Sequence, residues 1–452
     1  MQHVNVRRAV LNGLYALILT VDVAFHTGVP PSFELGYHGI VDSSTCTVGV
    51  VLGGVAPEHE VSIISALQAA AALDRERYTP VPLYIAKDGT WYTGDALLEV
   101  DTYRNLDALR DEATPVALHP GGYGTLRAVE VPPESRWERL RRPPLRHDID
   151  VMLLGLHGGP GEDGSVQGLC ETMGVPYTGS GVLGSAVGMD KGLSKRLCQQ
   201  AGIPVVDFVT LRAVNWAGNE EDELARCLDT LGVPLIVKPA RLGSSIGITR
   251  ADTRAALDAA IEDALRYDDK VIVEKAVSDL REINCSVLGT PTESTASVLE
   301  EPVPSEEENV LSFQDKYMRE SEGSTGGAKA GGAEGMASLD RIIPAELDDA
   351  TTASIQDMAV QIFQLFECAG VARIDFMMDR TTGTVYFNEI NTIPGSFSFY
   401  LWEPSGIPFD ELMHRTIQAA QRRFTEARGR IRTYDVNLLS ERSLSGLKGS
   451  KG

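Results

Sequence analysis

The 452-residue sequence predicts a protein of mixed α/β (α+β) class that begins with an open parallel α/β domain. Three observations predict this. Apolar, strand-like runs that end in glycine alternate with helix-like runs in the first part of the chain. A second set of strand and helix runs follows. A later segment holds two alternating strands joined by a short polar turn. A chain of this length predicts roughly two to four compact units.

The composition narrows the class of protein. A hydrophobic fraction of 43% and a charged fraction of 23% are ordinary for a soluble globular chain. The formal net charge of −22 argues against a non-specific nucleic-acid binder, which usually carries a basic face. The six cysteines are scattered, without a C-x-x-C pair or metal-ligand spacing. We therefore expect a reduced, cytoplasmic protein.

The first residues allow two interpretations. Arg7 and Arg8 precede the apolar run A-V-L-N-G-L-Y-A-L-I-L-T-V, which resembles the core of a signal peptide. Asn12 and Gly13 interrupt the run, no A-x-A cleavage site follows, and it is too short to span a bilayer. We expect residues 1–44 to be an extension outside the core fold, or the result of a start codon placed too far upstream.

The first domain is expected to begin near Thr47. There the run T-V-G-V-V-L-G-G reads as a buried strand ending in glycines. A helix follows from Val61, opened by the acidic turn at residues 58–60, which suits the helix dipole. Further strands are predicted at 79–85 and 149–156, on either side of a variable polar segment at 94–147. Their order predicts the open parallel sheet.

Two further units and a tail complete the expected organisation. We predict an N-terminal domain at 45–184, a central unit at 185–277, a C-terminal unit at 278–428 and a disordered tail at 429–452. The predicted helices of these units lie near 190–200, 219–231, 346–369 and 407–427. The predicted strands lie near 205–211, 234–239, 270–276, 283–288, 371–378 and 384–391.

The last two predicted strands carry the strongest chemical signal. If D-R-T-T-G (379–383) is the turn of a hairpin centred near Thr382, Asp375 faces Glu389 and Arg373 faces Asn391. Alternation puts all four side chains on one face. Two opposed carboxylates destabilise a sheet unless a cation lies between them, and oxygen ligands of this kind suit Mg²⁺. An exposed face with an arginine–carboxylate network is the alternative.

Three other segments are weaker signals when each is taken alone. Lys238 ends a strand before G-S-S (243–245), which is either an anion-binding loop or a plain turn. V-E-K-A-V (273–277) fits contacts to a nucleotide or a surface ion pair. His157 opens the glycine-rich loop H-G-G-P-G-E-D-G, where it supplies positive charge, donates a hydrogen bond to a carboxylate, or is purely structural.

One long segment has the composition of a loop. Residues 319–337 are rich in Gly and Ser and follow Lys316 and Tyr317 closely. The segment is either a flexible linker or a mobile lid over a site.

Together, and in this order, these segments resemble the D-alanine–D-alanine ligase family of the ATP-grasp superfamily. The matching residues are 53–62, 156–168, 177–181, 189–191, 237–247, 273–275, 315–317, 372–375 and 388–395. The resemblance implies a three-part ATP-grasp fold with ATP held between two antiparallel sheets. It implies an ADP-forming ligase that phosphorylates the carboxylate of one D-alanine and lets the amine of a second displace phosphate, for peptidoglycan precursor synthesis.

The resemblance also assigns roles to residues of this sequence. The catalytic set is Glu58, His157, Ser244, Tyr317, Arg373 and Gly395, in which Glu58 holds the first ammonium and Arg373 and the Gly395 N–H face the oxyanion. The ATP-binding set is Lys191, Lys238, Ser245, Glu274, Lys275, Val277, Glu282 and Lys316. Two Mg²⁺ ions, which Mn²⁺ can replace, are assigned to Asp375, Glu389 and Asn391. Tyr400 and Leu401 are assigned to the second substrate.

The sequence departs from the family pattern at two places. Many family members carry a serine at the position of Tyr400, and the segment 319–337 is longer and richer in glycine than in compact members. A ligase with a different second amino acid is therefore the main alternative, although Lys316 and Tyr317 favour an amine acceptor. A non-catalytic nucleotide-binding module is a third hypothesis. The expected partners are D-alanine, ATP and a second copy of the chain, without nucleic acid or membrane.

Overall fold

The structure is a computed structural model that describes residues 45–106, 109, 112–122, 124–132, 143–303 and 341–431. The predictions for residues 1–44, for Lys316 and Tyr317, for the segment 319–337 and for the tail from residue 432 lie outside the described residues. The described chain from Thr45 onward is one compact unit. It contains three β-sheets, one in each of the three predicted units.

The first sheet has seven strands in the order β6-β5-β4-β3-β2-β1-β7. The strands are β1 (Cys46–Gly53), β2 (Tyr78–Ile85), β3 (Trp91–Thr93), β4 (Thr114–Gly122), β5 (Thr125–Glu130), β6 (Arg146–Ile149) and β7 (Val151–Leu154). Only β2, β1 and β7 are parallel to one another, and the other neighbours pair antiparallel. These three parallel strands are the ones that the sequence predicted.

Strands β3 to β6, which the sequence did not predict, extend this parallel part of the sheet with antiparallel pairing. The segment 94–147, which we interpreted only as polar and variable, holds β4 and β5 and the start of β6. Strand β4 reads T-P-V-A-L-H-P-G-G, and prolines and glycines argue against a strand when only the sequence is known. Strand β5 alternates buried and half-buried residues, as expected for a sheet with one face open to water.

Helix α1 (His59–Ala72) covers the parallel part of this sheet, and α2 (Ser165–Met173) follows the glycine-rich loop. Ile63, Ala66 and Ala70 recur at helical spacing and pack into the first core, against the buried residues of β1. This packing fixes the N-terminus of α1, and with it Glu58, at the carboxyl ends of the parallel strands.

The second sheet has four antiparallel strands in the order β10-β9-β11-β8. Its strands are β8 (Phe208–Arg212), β9 (Leu235–Pro239), β10 (Thr249–Ala251) and β11 (Lys270–Lys275). Before this sheet the chain forms two helices, α3 (Val182–Met189) and α4 (Lys191–Gln200). The helices of the sheet itself are α5 (Ala213–Trp216), α6 (Glu220–Leu231) and α7 (Arg254–Ala264). Residues of α6 and α7 pack with the strands in a separate core, which keeps this sheet in place.

The third sheet has five antiparallel strands in the order β14-β13-β12-β15-β16. Its strands are β12 (Leu280–Thr290), β13 (Glu293–Pro302), β14 (Arg341–Ile342), β15 (Gly370–Asp379) and β16 (Val385–Asn391). The helices are α8 (Asp349–Leu365), α9 (Phe399–Trp402) and α10 (Phe409–Arg428). Val187 of α3 and Cys198 of α4 join the core of this sheet. The predicted boundary at residue 185 thus runs through a helix that packs with later residues, and the domain boundaries stay a prediction.

The β15–β16 hairpin has the register that the sequence predicted. Arg373 pairs with Asn391 and Asp375 pairs with Glu389, with a bulge between Asp375 and Phe376. The polar face of this hairpin is therefore built as expected. Among the described residues, no helix is long and apolar enough to cross a membrane.

Candidate active site

A cavity of about 320 Å³ lies between the second and third sheets and is the centre of the candidate site. The second sheet contributes residues of β9 and β11, and the third contributes residues of β12, β15 and β16. Loops from the first domain close one end. The cavity is lined by residues that include Glu58, His157, Lys238, Ser244, Ser245, Glu274, Lys275, Val277, Glu282, Arg373, Asp375, Glu389, Asn391 and Gly395.

Four polar side chains form a row across the third sheet. In register, Glu300 on β13 is opposite Asn284 on β12, Asn284 is opposite Asp375 on β15, and Asp375 is opposite Glu389 on β16. All four line the cavity. Neighbouring strands are about 4.8 Å apart, so the row spans roughly 14 Å of the cavity wall.

The centre of this row is an arginine–carboxylate pair. The Arg373 Nε and Nη2 groups donate to the two oxygens of Asp375 at 2.7 and 2.8 Å, and the Asn391 side-chain amide donates to Asp375 at 3.0 Å. Although burial opposes the charge, the adjacent Asp375 carboxylate raises the pKa of Arg373 well above its usual value. Arg373 is thus a permanent, fixed positive charge in the cavity wall.

A buried cluster of charges joins the second sheet to the third. Glu274 accepts from Lys195 at 3.0 Å and from Lys238 at 2.7 Å, and Lys238 also donates to Asn388 at 3.1 Å. Although burial favours the neutral acid, the two ammonium groups lower the pKa of Glu274 to about 2. Lys191 donates to the Leu242 carbonyl at 2.7 Å, and its ammonium lies 3.1 Å from Glu389. Positive charge therefore gathers at the Glu389 end of the cavity.

Glu58 occupies the end of the cavity that faces the first domain. Its side chain is buried, and it approaches the backbones of Gly158 and Gly243 so closely that a Cβ on Gly243 would lie 2.6 Å from its Oε1. A side chain at either position would displace the Glu58 carboxylate, and Gly158 also has a positive φ of 70°, which favours glycine. Ser244 and Ser245, which follow, have φ values of 54° and 59°, a strained conformation for residues other than glycine. Such strain is typical of loops that contact a ligand.

His157 is held by helix α1, where its backbone N–H donates to the Ser62 hydroxyl at 2.8 Å. Its ring Nε2 hydrogen-bonds Ser65 on α1 at 2.8 Å, and the Ser396 N–H donates to the same hydroxyl at 2.9 Å. Burial lowers the pKa of His157 to about 4, so the ring is neutral at pH 7. A neutral ring favours the hydrogen-bonding role considered for His157 over the role of a positive charge. Ser65 positions both this ring and the turn that carries Gly395.

Glu162, in the same cavity wall, is a weaker acid than an ordinary glutamic acid. It accepts from the N–H groups of Gly158 at 2.7 Å and Ile393 at 3.4 Å. Burial, with a contribution from the Glu58 charge, raises the pKa of Glu162 from 4.5 to about 7. The folded protein therefore binds this proton more tightly than the unfolded chain does.

This shift predicts a pH-dependent stability. An acid whose pKa is raised on folding stabilises the fold fully below its unfolded pKa, and that stabilisation is lost as the pH rises through about 7. A Glu162→Gln variant cannot ionise, so its stability relative to the unchanged protein should increase between about pH 5 and pH 8. Urea unfolding at several pH values measures this. Parallel stability curves for the two proteins would show that Glu162 titrates normally.

The predicted metal ligands offer the kind of oxygen donors that a magnesium site needs. Asp375, Glu389 and Asn391 face one cavity and offer oxygen donors. Within the described part of the chain, no three His, Cys, Asp or Glu side chains converge on one point. Mg²⁺ needs no such cluster, because it typically takes one or two carboxylates and completes its shell with water and phosphate oxygens. The donor set fits, and the metal site stays a prediction.

Comparison with known proteins agrees with this architecture. A family model described as "D-ala D-ala ligase N-terminus" matches residues 47–180, and one described as "D-ala D-ala ligase C-terminus" matches residues 197–418. The chain belongs to the D-alanine–D-alanine ligase family. The two matches cover all but the first residue of the first sheet and the whole of the second and third sheets.

Individual ligases match over most of their length. The chain is 35% identical to D-alanine–D-alanine ligase of Thermosipho melanesiensis, over 87% of this chain and 98% of that protein. It is 38% identical to the enzyme of Chlorobium limicola, over 86% of this chain and 100% of that protein.

Solved structures of family members agree in fold. The ligase of Coxiella burnetii has a TM-score of 0.68 at 29% identity, covering 88% of this chain and 99% of that one. The VanG D-Ala:D-Ser ligase of Enterococcus faecalis has a TM-score of 0.65 at 28% identity, covering 83% of this chain and 100% of that one. The fold is thus shared by ligases whose names specify different acceptors.

The structure brings most of the ligase residues predicted from the sequence to one cavity. Lys191 is not among the lining residues, but it contacts Glu389. The two residues that the sequence assigned to the second substrate lie outside the lining of this cavity. They are Tyr400 and Leu401, and Leu401 is fully buried. The assignment of these two residues to the second substrate stays a prediction. Lys316 and Tyr317 lie outside the described residues.

Four charged residues that hold the cavity wall together were not predicted from the sequence. They are Glu162, Lys195, Glu300 and Arg341, and three of them line the cavity. Lys195, the exception, is fully buried behind Glu274. Helical spacing could have indicated Lys195, because it lies four residues after Lys191 on α4 and therefore on the same face of the helix. Glu300 and Arg341 lie in β13 and β14, strands that the sequence did not predict.

Proposed function

We propose that this protein is an ATP-dependent ligase that joins two D-alanines into D-alanyl-D-alanine through an acyl phosphate, supplying peptidoglycan precursors. Family membership over both halves of the chain supports this. The observation that carries it is the register of the β15–β16 hairpin, which sets Arg373, Asp375, Glu389 and Asn391 on one cavity wall. A fixed cation there lies beside oxygen donors suited to a nucleotide's metal.

The first step needs an anchored carboxylate and a neutralised phosphate. A free carboxylate is a poor electrophile and must first be activated. A carboxylate oxygen of the first D-alanine would therefore attack the γ-phosphorus of ATP, release ADP and become an acyl phosphate. Glu58 would hold the ammonium group of that D-alanine, and Ser244 and Tyr317 would link to Glu58 and close the site. Lys191, Lys238 and Lys316 would neutralise the phosphates. Neutral His157 would hydrogen-bond near the reacting carboxylate.

The nucleotide itself would lie between the two sheets. Glu274, Lys275, Val277 and Glu282 would contact the adenine and ribose, and Ser245 would contact phosphate. Asp375, Glu389 and Asn391 would hold two Mg²⁺ ions, which Mn²⁺ can replace. Bound there, the metal would supply positive charge to the phosphoryl oxygens. Lys195 would keep Glu274, and through it Lys238, in position.

The second step needs a stabilised oxyanion. The amine of the second D-alanine would attack the acyl carbon, and collapse of the tetrahedral intermediate would expel inorganic phosphate. The Arg373 guanidinium and the Gly395 N–H would stabilise the oxyanion. Ser65 contributes indirectly, because it hydrogen-bonds the Ser396 N–H directly after Gly395 and so fixes this turn.

The alternative is a ligase of the same fold with a different second amino acid. The similarity to a D-Ala:D-Ser ligase structure favours keeping it, since its TM-score of 0.65 is close to the 0.68 of the D-alanine ligase. We also propose a homodimer and a cytoplasmic location. All six cysteines are free, which agrees with a reducing compartment. Sedimentation velocity would test the dimer.

Product analysis tests the proposed function. Purified protein should release phosphate only when ATP, Mg²⁺ and D-alanine are all present, and mass spectrometry should find D-alanyl-D-alanine. A panel of D- and L-amino acids then identifies the acceptor. If another dipeptide is the main product, the alternative is correct. If nucleotide binds but no D-amino acid causes phosphate release, the protein is a non-catalytic nucleotide-binding module.

A further inference from the structure

We propose that Arg341, oriented by Glu300 and stacked on Tyr400, binds the carboxylate of the acceptor amino acid. This inference rests on the proposed function and names a residue that determines acceptor specificity. In many family members a serine hydroxyl stands where this chain has Tyr400. Here the guanidinium of Arg341 takes over the recognition of the acceptor's carboxylate.

The first support is the fixed position of Arg341. Its Nη1 donates to Glu300 at 2.7 Å, and its guanidinium carbon lies 4.0 Å from the centre of the Tyr400 ring. A guanidinium that stacks on an aromatic face presents its N–H edge sideways, in the geometry that binds carboxylates. The Arg341 side chain is only 7% exposed and lines the cavity, whereas Tyr400 does not line it. The tyrosine ring thus supports Arg341 rather than touching the ligand.

The second support is the network around Glu300. This carboxylate also accepts from Asn284 at 2.9 Å and from the Tyr400 hydroxyl at 3.3 Å. Glu300 is only 1% exposed, so three donors hold one buried carboxylate. Because the Tyr400 hydroxyl points to Glu300, it cannot serve the acceptor as a serine hydroxyl would. The network instead holds one cationic side chain rigidly at the cavity wall.

The third support is the location of Arg341 relative to the reaction centre. The phosphate-binding lysines gather near Glu389 on β16, at one edge of the third sheet, and Arg341 is on β14 at the other edge. At about 4.8 Å per strand, these edges are roughly 19 Å apart. Arg373 on β15 lies between them. The long side chains of Arg373 and Arg341 both line the cavity, and the charge of Arg373 acts on Arg341, so the two guanidinium groups lie near each other. An acceptor whose amine reaches the carbonyl beside Arg373 would therefore place its carboxylate near Arg341.

An acceptor without a carboxylate tests the proposal. The unchanged protein should prefer D-alanine over D-alaninamide as acceptor. In an Arg341→Met variant, the ratio of kcat/KM for D-alanine to kcat/KM for D-alaninamide should fall roughly 10- to 100-fold, because the variant loses a charged hydrogen bond to the acceptor's carboxylate. An Arg341→Lys variant should recover part of it. The double variant Glu300→Gln/Arg341→Met avoids an uncompensated buried carboxylate and should show the same loss.

An ion pair on the other face of the same strands provides the control. Arg281 on β12 donates to Glu301 on β13 at 2.6 Å, and neither residue lines the cavity. An Arg281→Met variant loses a similar contact and should keep the full preference for D-alanine. The first half-reaction, measured as hydroxamate from D-alanine, ATP and hydroxylamine, should persist in every variant.

The possible outcomes distinguish a failure of the proposed function from a failure of the assignment of Arg341. If the unchanged protein forms neither dipeptide nor hydroxamate, the proposed function is refuted and this inference with it. If it forms both, and the double variant discriminates between D-alanine and D-alaninamide as well as the unchanged protein does, the assignment of Arg341 alone is refuted.

Discussion

Replacing Arg373 with methionine should lower turnover by roughly 100- to 1,000-fold and leave ATP binding nearly unchanged. Arg373 donates to both oxygens of Asp375 and lines the cavity, so its charge is fixed before any substrate arrives. Preorganised charge stabilises an oxyanion more than it stabilises the ground state, so the loss should fall on kcat. Steady-state kinetics and calorimetric titration with a non-hydrolysable ATP analogue measure the two effects.

Two variants show whether this loss is specific. Arg281→Met removes an arginine of the same sheet that does not line the cavity, and it should turn over normally. Arg373→Lys keeps the charge but loses the two-point contact with Asp375, and it should recover activity only in part. If the affinity for ATP falls as far as turnover does, Arg373 serves nucleotide binding, and its assignment to the oxyanion is wrong.

Replacing Glu274 with glutamine should be the most destabilising change in the site. The variant leaves Lys195 and Lys238 buried without their shared carboxylate, and breaking a buried ion pair from one side costs roughly 3–5 kcal/mol. The KM for ATP should rise as well, because Lys238 loses the contact that aims it at the cavity. Chemical unfolding with and without ATP measures both effects.

The matched controls are a second double variant and an exposed pair. Lys195→Met/Glu274→Gln removes one buried cation with the carboxylate and should recover part of the lost stability. Glu60 pairs with Lys87 at 2.6 Å, but both side chains are more than half exposed, so Glu60→Gln should cost less than about 1 kcal/mol. Equal losses for Glu274→Gln and Glu60→Gln would mean that water reaches the Glu274 cluster.

The sequence predicts the parts of the site that short-range patterns specify. Counting seven residues in each direction from Thr382 gives the pairing of Asp375 with Glu389, because a hairpin's register follows from its turn. Similarly, the acidic turn before Val61 places the start of α1, and the structure begins that helix at His59. In both cases, neighbours in sequence decide the geometry.

The parts that the sequence does not predict depend on distant contacts. Arg341 reaches Glu300 across 41 positions of the chain, and no local pattern marks either residue as part of a site. Likewise, the pKa of His157 falls to about 4 because the fold buries the ring, which the glycine-rich loop around it does not indicate. Burial and long-range pairing are properties of the folded chain.

Helix α10 also joins the last described segment to the first domain. Leu412 and Ile417 pack into the core of the first sheet, His414 hydrogen-bonds Tyr78 at 2.6 Å, and Arg423 donates to the Tyr177 carbonyl at 2.9 Å. A protein cut off before Phe409 would expose an apolar surface on its N-terminal half. During synthesis, the core of the first sheet therefore stays incomplete until residues 409–428 have left the ribosome.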